Sequence, residues 1–447
     1  MADALHFHSP QTAQMLLLAQ QVRAWERVAP AEYQALQQRQ LHTLMRHAHQ
    51  HSPFWRQRLE AAGWPAGAAS PQTVLARLPV LTRADLQAHF ADARARWPGL
   101  RDGDVATSVT SGSTGEPVRV EKASAMYSPL YAAISWLEAQ WHQRDARGKI
   151  AVLGTGLTDG TLDTWGDMYA AMGLRGPCVL RNITQHGMDS HLEWLLREQP
   201  DYLKCSPFAA AELARLALAR GVQLSIRQVI SQSERVTPAQ RALCRQAFGA
   251  TIIDRYSCEE TGWLALQCPT HEHLHLLGAT TLMEIVDAEG RPCPVGVPGR
   301  VLVTSLHSFA MPILRYELGD IAEWGAPCGC GMVLPVIARM GGRTRHQVQT
   351  TQGPLPMPFL GDELGRIESI RAFRMRQYAD GTLQLQIEAP QALTADEHAA
   401  VRAVFAANGM ADLPLHVEQL ERIDWPAGRK REEFERVDRL FTPAIST

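Results

Sequence analysis

Three short segments and one scattered set of thiols carry residue types from which a reaction site can be built. The first is Thr107-Ser108-Val109-Thr110-Ser111-Gly112-Ser113-Thr114-Gly115-Glu116-Pro117, with six hydroxyls and two glycines in eleven residues. Glycine lets backbone N–H groups approach a phosphate closely, and hydroxyls add donors, so the composition suits a phosphate loop. The Gly-Lys-Ser/Thr ending of a Walker loop is missing, and an ordinary Ser/Gly turn has the same composition. The second segment, Arg255-Tyr256-Ser257-Cys258-Glu259-Glu260-Thr261-Gly262, follows the apolar run Thr251–Ile253 and is expected at a strand end, where α/β sheets bind ligands. An aromatic there can stack on a base, and a carboxylate can hold Mg²⁺ beside phosphates. In the third, Leu314-Arg315-Tyr316-Glu317-Leu318-Gly319-Asp320, the aspartate can accept both hydroxyls of a ribose, or simply close a turn. Finally, Cys268, His275, Cys328 and Cys330 form a possible tetrahedral set of three sulfurs and one nitrogen. A Cys-x-Cys turn is looser evidence than Cys-x-x-Cys, so unrelated thiols are the alternative, and His271 and His273 share a strand face with His275 as alternative ligands.

The elements that must position these groups are readable from periodicity. From Thr12 to about Leu59, apolar residues recur at helical spacing with Pro30 at a break, which predicts a helical hairpin. Its histidines, His42, His47, His49 and His51, are expected to be exposed polar positions without chemistry. From Val105 to Trp324, β-rich runs (IAVLG, TIIDRY, RVLVTSL) alternate with helical stretches at His191–Glu198, Phe208–Arg220 and Pro238–Phe248. That alternation predicts α/β layers with substantial parallel pairing. In the last hundred residues, Phe373–Glu388 alternates around an Asp-Gly turn, helical Thr394–Asn408 follows, and LPLHVEQL reads as a strand. The charged run Glu432–Arg439 reads as a solvated helix face.

The 447 residues allow two to four domains, and 45% hydrophobic against 20% charged residues is ordinary for a globular protein. With 44 basic and 46 acidic side chains, the formal charge of −2 gives no field that favours nucleic acid or an anionic membrane. No stretch approaches the ~20 apolar residues of a spanning helix, so no membrane role is expected. The start, MADALHFHSP, lacks the features of a secretory signal, and the eight cysteines are scattered, so a cytoplasmic location with reduced thiols is expected.

In order and interval, the three segments resemble the adenylate-forming superfamily of acyl-CoA synthetases, and within it the phenylacetate–CoA ligase-like branch. The resemblance runs from about Arg39 to the C-terminus. LHTLMRHAHQHSPFWRQRLEAAG followed by LARLPVLTRADL is similar to that branch's N-terminal stretch, and Ser231-Gln232-Ser233-Glu234-Arg235 with PAQRALCRQAFGATIIDRY is similar to the family's adenine-side segment. The resemblance implies a large multi-layer α/β domain with parallel and mixed sheets, residues 1–344 and helical to about 100, and a small mobile α+β domain, residues 345–447. It implies ATP-dependent formation of acyl-AMP and pyrophosphate, then displacement of AMP by a thiol.

By position in the motifs, Thr110, Ser111, Gly112, Ser113, Thr114 and Gly115 would hold the triphosphate, while Tyr256, Ser233, Glu234 and Arg235 would flank the adenine. Glu260 would hold Mg²⁺, and Asp320 and Arg343 would address the ribose. A catalytic cation belongs near the C-terminus, where Gly428-Arg429-Lys430 stands in place of the family's Gly-Lys; Lys430 is the preferred candidate and Arg429 the alternative. Arg345 falls at the hinge position. Tyr131, Trp136, Ser206, Phe208, Gln232 and Cys258 are candidates for lining the acid pocket. Some members of the branch carry structural Zn²⁺ on a similar Cys-to-His pair followed by a Pro-Cys-x-Cys-Gly turn, which favours zinc on Cys268, His275, Cys328 and Cys330. The expected partners are a carboxylic acid, aromatic as is common in this branch, and CoA. The alternatives are transfer to a carrier-protein phosphopantetheine or an amine, or a nucleotide-binding relative without catalysis. Oligomeric state is not legible.

Overall fold

A computed structural model describes residues 10–65, 70–101, 103–110, 117–357, 359–425 and 432–442. Three helices open the chain, Pro10–Ala24, Pro30–His51 and Pro53–Ala61, where the sequence predicts a two-helix hairpin. The extra break has a local cause: Ser52 leaves the helical conformation, its hydroxyl accepts the Trp55 amide, and Pro53 starts the next helix without an amide hydrogen to satisfy. Trp55 is fully buried and donates its indole N–H to the Pro312 carbonyl (2.8 Å), which fixes this helical layer to the sheet behind it. His42 is exposed as expected, whereas His49 and His51 are half-buried. His47 is half-buried, 2.9 Å from the Phe309 carbonyl oxygen.

Two sheets carry the large α/β part. The first has the order Gly160–Leu162, Cys178–Asn182, Ile150–Gly154, Tyr202–Cys205, Gln228–Ser231, Thr251–Ile253, parallel except at its first pair. The predicted helices cover it as Met188–Glu198, Pro207–Ala219 and Pro238–Phe248. From Ile150–Gly154 the chain moves toward one edge, and from Tyr202–Cys205 toward the other, so the crevice between the ends of these neighbouring strands is the topological switch point.

The second sheet has seven strands in the order Thr281–Val286, Pro298–Ser305, Tyr316–Trp324, Val336–Arg343, Leu274–Leu276, Gly262–Gln267, Arg255–Cys258, and every pairing is antiparallel. RVLVTSL therefore joins an antiparallel sheet rather than the expected parallel layers. TIIDRY does not form one strand either: its first three residues end the parallel sheet and Arg255 begins the antiparallel one. Asp254 makes the passage. Its carboxylate accepts the Ser231 hydroxyl (3.0 Å) and the Arg255 amide (2.7 Å), and its own amide donates to Gln267 Oε1 (2.8 Å). The segment bearing Tyr256 is thus an edge strand of its own, not the end of the apolar run before it.

Residues 347–437 gather around a separate core that includes Val348, Met375, Leu385, Phe405 and Phe434. Its four-stranded sheet runs Leu415–Leu420, Leu383–Glu388, Ala372–Tyr378, Phe434–Val437. The predicted hairpin and helix are present, the latter as Ala395–Ala407 with a capping box at Thr394. The charged run is not a helix: Phe434–Val437 is a strand parallel to Ala372–Tyr378. Phe434 fills the core while Glu435 and Arg436 face solvent, and the open edge of Ala372–Tyr378 supplies the ladder that helical i,i+4 bonds would otherwise provide.

Candidate functional site

The antiparallel sheet draws the second and third motifs together. Asp320 and Arg343 are direct partners on neighbouring strands, and Arg343 Nη1 lies 3.0 Å from Asp320 Oδ1. The Tyr256 hydroxyl donates to Asp320 Oδ2 (2.8 Å). Burial pushes the Tyr256 phenol well above its ordinary range and the Asp320 charge adds to the shift, so the ring stays a neutral donor. Arg343 is pushed up by Asp320 and also donates to the Leu318 carbonyl (3.1 Å). A carboxylate offers about four lone-pair positions. Two are used here, which leaves two acceptors, the number a vicinal diol needs.

Beside this group, Glu260 Oε1 accepts the Tyr316 hydroxyl (3.0 Å), and Oε2 has no partner among the described residues. One half-engaged carboxylate is the usual handle for Mg²⁺ that keeps waters and phosphate oxygens as its other ligands. Cys258 lies 3.0 Å from Thr261 Oγ1, and burial, with Glu260 next, pushes its thiol up to about 12, which leaves it no nucleophilic character at neutral pH. Thr110, within the first motif, directly follows the strand Val105–Val109. Its hydroxyl accepts the Val118 amide (2.9 Å), and Arg83 Nη2 approaches it to 3.4 Å. Ser111, Gly112, Ser113, Thr114 and Gly115 lie outside the described residues, as do Arg429 and Lys430.

The adenine-side candidates follow the parallel strand Gln228–Ser231. Ser233 holds a left-handed backbone (φ 71°), a conformation that costs a residue with a Cβ about 1–2 kcal/mol. Ser233 is exposed and Glu234 half-buried. The Arg235 guanidinium pairs with Asp362 and Glu433 of the C-terminal part of the chain. Gln232 reaches across the switch point, with Nε2 donating to the Leu153 carbonyl (3.2 Å), and Ser206 caps the helix beginning at Pro207 by accepting the Ala209 amide. Phe208 is half-buried beside it. Ser206, Phe208 and Gln232 thus border the crevice. Trp136 does not join them: it packs edge-on to Tyr169 (5.4 Å) in the cluster that seats the first helix, because it lies on the opposite face of helix Ser124–Trp141 from Tyr131. Tyr131 instead packs beside Trp263 (5.1 Å) in a cleft past Thr261.

The thiol set converges. Cys268, His275, Cys328 and Cys330 have their ligand atoms within 4.8 Å of one another, and Cys268, His271, His273 and Cys328 form an overlapping group. For zinc–sulfur bonds of about 2.3 Å, a tetrahedron has an S···S edge of about 3.8 Å and a slightly shorter S···N edge. The Cys268–Cys328 separation is 3.9 Å and the Cys330–His275 Nε2 separation 3.4 Å. His275 Nδ1 faces the Leu334 carbonyl (3.2 Å), which fixes the tautomer that presents Nε2 to the cluster. The residues present therefore fit Zn²⁺.

Sequence reasoning missed three supports. Arg315, also in a left-handed conformation, donates to the carbonyls of Ala76 (3.0 Å) and Leu78 (2.8 Å) and pairs with Glu284, which ties the N-terminal helices to the strand carrying Asp320. Glu138, fully buried, lies between Arg144 and Arg255 and so anchors the residue before Tyr256. Lys122, also buried, reaches the Tyr127 hydroxyl (3.1 Å) and Glu259 (3.5 Å). A lone arginine, glutamate or lysine in a strand or helix carries no local signal of this kind.

No family model matches the chain. It is 26% identical over 323 residues to a phenylacetate-coenzyme A ligase of Thermus thermophilus, covering 69% of this chain and 70% of that one. It is 26% identical over 307 residues to a phenylacetate-coenzyme A ligase of Escherichia coli, covering 65% and 67%. Among solved structures, a 2-hydroxyisobutyryl-CoA ligase in the postadenylation state with 2-HIB-AMP superposes with a TM-score of 0.70 at 18% identity, over 92% of this chain and 91% of the other. An anthranilate CoA ligase with anthranoyl-AMP gives 0.52 at 16% identity, over 72% and 64%. The fold is that of the adenylate-forming acid–CoA ligases. Within that fold class, the chain is similar in sequence to phenylacetate-coenzyme A ligases.

Proposed function

We propose that the protein is an AMP-forming acid–CoA ligase. The observation that carries this reading is Asp320, held by Tyr256 and Arg343 with two acceptor positions left for a ribose diol, next to the half-engaged carboxylate of Glu260. The names of the relatives and the acyl-AMP in the structural neighbours support it.

In the first half-reaction, an oxygen of the acid's carboxylate attacks the α-phosphorus of ATP, the bond to the β-phosphate oxygen breaks, and pyrophosphate leaves. In the second, the thiolate of CoA attacks the acyl carbon and AMP leaves with the ester oxygen. A carboxylate and a polyphosphate repel, so the protein's task is to hold them in line and neutralise charge. In this reading Thr110 opens the loop whose residues 111–115 hold the phosphates, Asp320 and Arg343 hold the ribose, and Tyr256 with the Ser233–Arg235 segment flanks the adenine. Mg²⁺ on Glu260, when bound, offsets phosphate charge. Lys430 supplies the cation for the negative charge that develops during adenylation. Residues 1–344 and 345–447 act as two domains hinged at Arg345, and Zn²⁺ on Cys268, His275, Cys328 and Cys330 has no open ligand position, so it staples rather than catalyses. A cytoplasmic location goes with this supply of ATP and CoA.

The test is pyrophosphate release with a carboxylate library, with and without CoA. Acid-dependent release with thioester formation is expected, and Lys430→Ala should abolish release while sparing thioester formation from supplied acyl-AMP. Release without thioester would redirect the reading to another acceptor, and no release with any acid would overturn it. If Arg429→Ala shows the selective loss and Lys430→Ala does not, the cation is Arg429.

A further inference from the structure

The cleft past Thr261 has features that adenylation itself does not use. It lies between the helix Ser124–Trp141 and the strands Gly262–Gln267 and Pro298–Ser305. Tyr127, Tyr131 and Trp263 form aromatic walls. Thr261, one residue past Glu260, also lines it, so the cleft opens beside the turn assigned to Mg²⁺.

Three hydrogen-bonding positions in this lining are unmet among the described residues. The Trp263 indole N–H is buried without an acceptor, in a side chain only 6% exposed. Ser308 donates its hydroxyl to Ser305 Oγ (2.7 Å), so the Ser305 hydroxyl hydrogen must find an acceptor elsewhere. His307 Nε2 lies 3.1 Å from the Ala279 carbonyl oxygen, which can only accept, and burial lowers the imidazole's proton affinity. The ring is therefore neutral and leaves Nδ1 as an acceptor. A buried polar group left unpaired costs about 1–3 kcal/mol, which is the position of the Trp263 indole; with the Ser305 hydrogen and His307 Nδ1 it gives the aromatic cleft two donors and one acceptor, the complement of a ligand.

A phenolic hydroxyl donates one hydrogen bond and accepts up to two, which matches one acceptor and two donors; an unsubstituted ring meets none of them. We propose that the acid substrate seats an aromatic ring in this cleft and that the ring bears a hydroxyl read by His307, Ser305 and Trp263. The inference rests on the ligase reading. Lys122, whose ammonium lies 4.2 Å from the Tyr127 ring centroid, occupies the same lining and pairs with Glu259 beside Glu260.

The experiment compares matched acids: benzoate, phenylacetate and cinnamate against their 3- and 4-hydroxy forms. In pyrophosphate release, wild-type kcat/KM should favour a hydroxylated member by at least about 10-fold, the worth of one buried hydrogen bond. His307→Phe and, separately, Ser305→Ala should narrow that ratio, mainly through KM. Equal turnover of both members of every pair, or a ratio unmoved in both variants, would overturn the proposal while leaving the ligase reading intact. If no acid is turned over, the ligase reading fails, and tryptophan fluorescence titration with 4-hydroxyphenylacetate and phenylacetate decides the cleft on its own: tighter binding of the hydroxylated acid, lost in His307→Phe, supports it, and equal binding overturns it.

Discussion

Substituting Asp320 by asparagine isolates the group on which the nucleotide assignment rests. The native carboxylate serves Tyr256 through one oxygen (2.8 Å) and Arg343 through the other (3.0 Å), and keeps acceptors free on both. In Asp320→Asn one of those oxygens becomes a donor. If Oδ1 keeps the tyrosine, the amide hydrogens face the guanidinium; if it keeps Arg343, they face the phenol. Either way one ribose hydroxyl loses a charged acceptor, and hydrogen bonds to charged groups are worth about 1.5–3 kcal/mol, so ATP affinity should fall about 10- to 150-fold. The stability cost should be smaller, because the Arg343 side chain is 42% exposed and solvent screens the pair. Calorimetric titration with ATP and the KM for ATP in pyrophosphate release measure the first effect, and thermal denaturation measures the second. A folded Asp320→Asn protein whose ATP affinity stays within about twofold of wild type would refute the reasoning.

Three further outcomes are expected. Glu260→Gln should lower adenylation by orders of magnitude with little change in melting temperature, and unaltered pyrophosphate release would remove Glu260 from the site. Purified protein should contain about one zinc per chain, with Cys328→Ser losing both metal and thermal stability; zinc-free protein whose stability is untouched by that change would sink the staple. For Glu138, burial works to raise the carboxyl, but Arg144 and then Arg255 overcome it and pull it down to about 2. A depressed folded value means the stabilisation is complete above the unfolded carboxyl's range and drains away as pH falls from about 4.5 toward 2. Glu138→Gln should cost about 3–5 kcal/mol in denaturant unfolding at pH 7, since two buried guanidiniums lose their partner; an unchanged unfolding free energy would contradict this.

Periodicity made the helices covering the parallel sheet legible, and the start of Pro238–Phe248 could be placed because Thr237, Pro238 and Gln240 spell a capping box. The parallel-to-antiparallel change was not legible, because Ile253 and Tyr256 are equally β-prone and nothing local says which sheet each will join. Glu432–Arg439 misled for a similar reason: charge density suggested a solvated helix, whereas one inward phenylalanine and a vacant sheet edge decided the matter. In the candidate site, Tyr256, Asp320 and Arg343 were recognisable from motif order alone and the structure brings them together. Trp136 was assigned to the pocket without regard to the helix face, which places it about 140° around the axis from Tyr131, at about 100° per residue. The unmet donors of Trp263 and Ser305 had no sequence signal, since an indole or hydroxyl in a strand is ordinarily satisfied by neighbours that only the fold reveals.

The passage at Asp254 constrains how such a chain can be altered by insertion, deletion or recombination. A single residue separates the two sheets, and its side chain and amide are both committed. Adding or removing one residue there would flip the inward and outward faces of Arg255–Cys258 and carry the Tyr256 hydroxyl away from Asp320. Chimaeras that exchange the acid-binding half for that of another ligase therefore need their crossover placed elsewhere, for example in the exposed turn at Asp287–Arg291, where length can vary without changing strand register. Length polymorphism among functional variants should accordingly be found at such turns and be lacking between Ile253 and Tyr256.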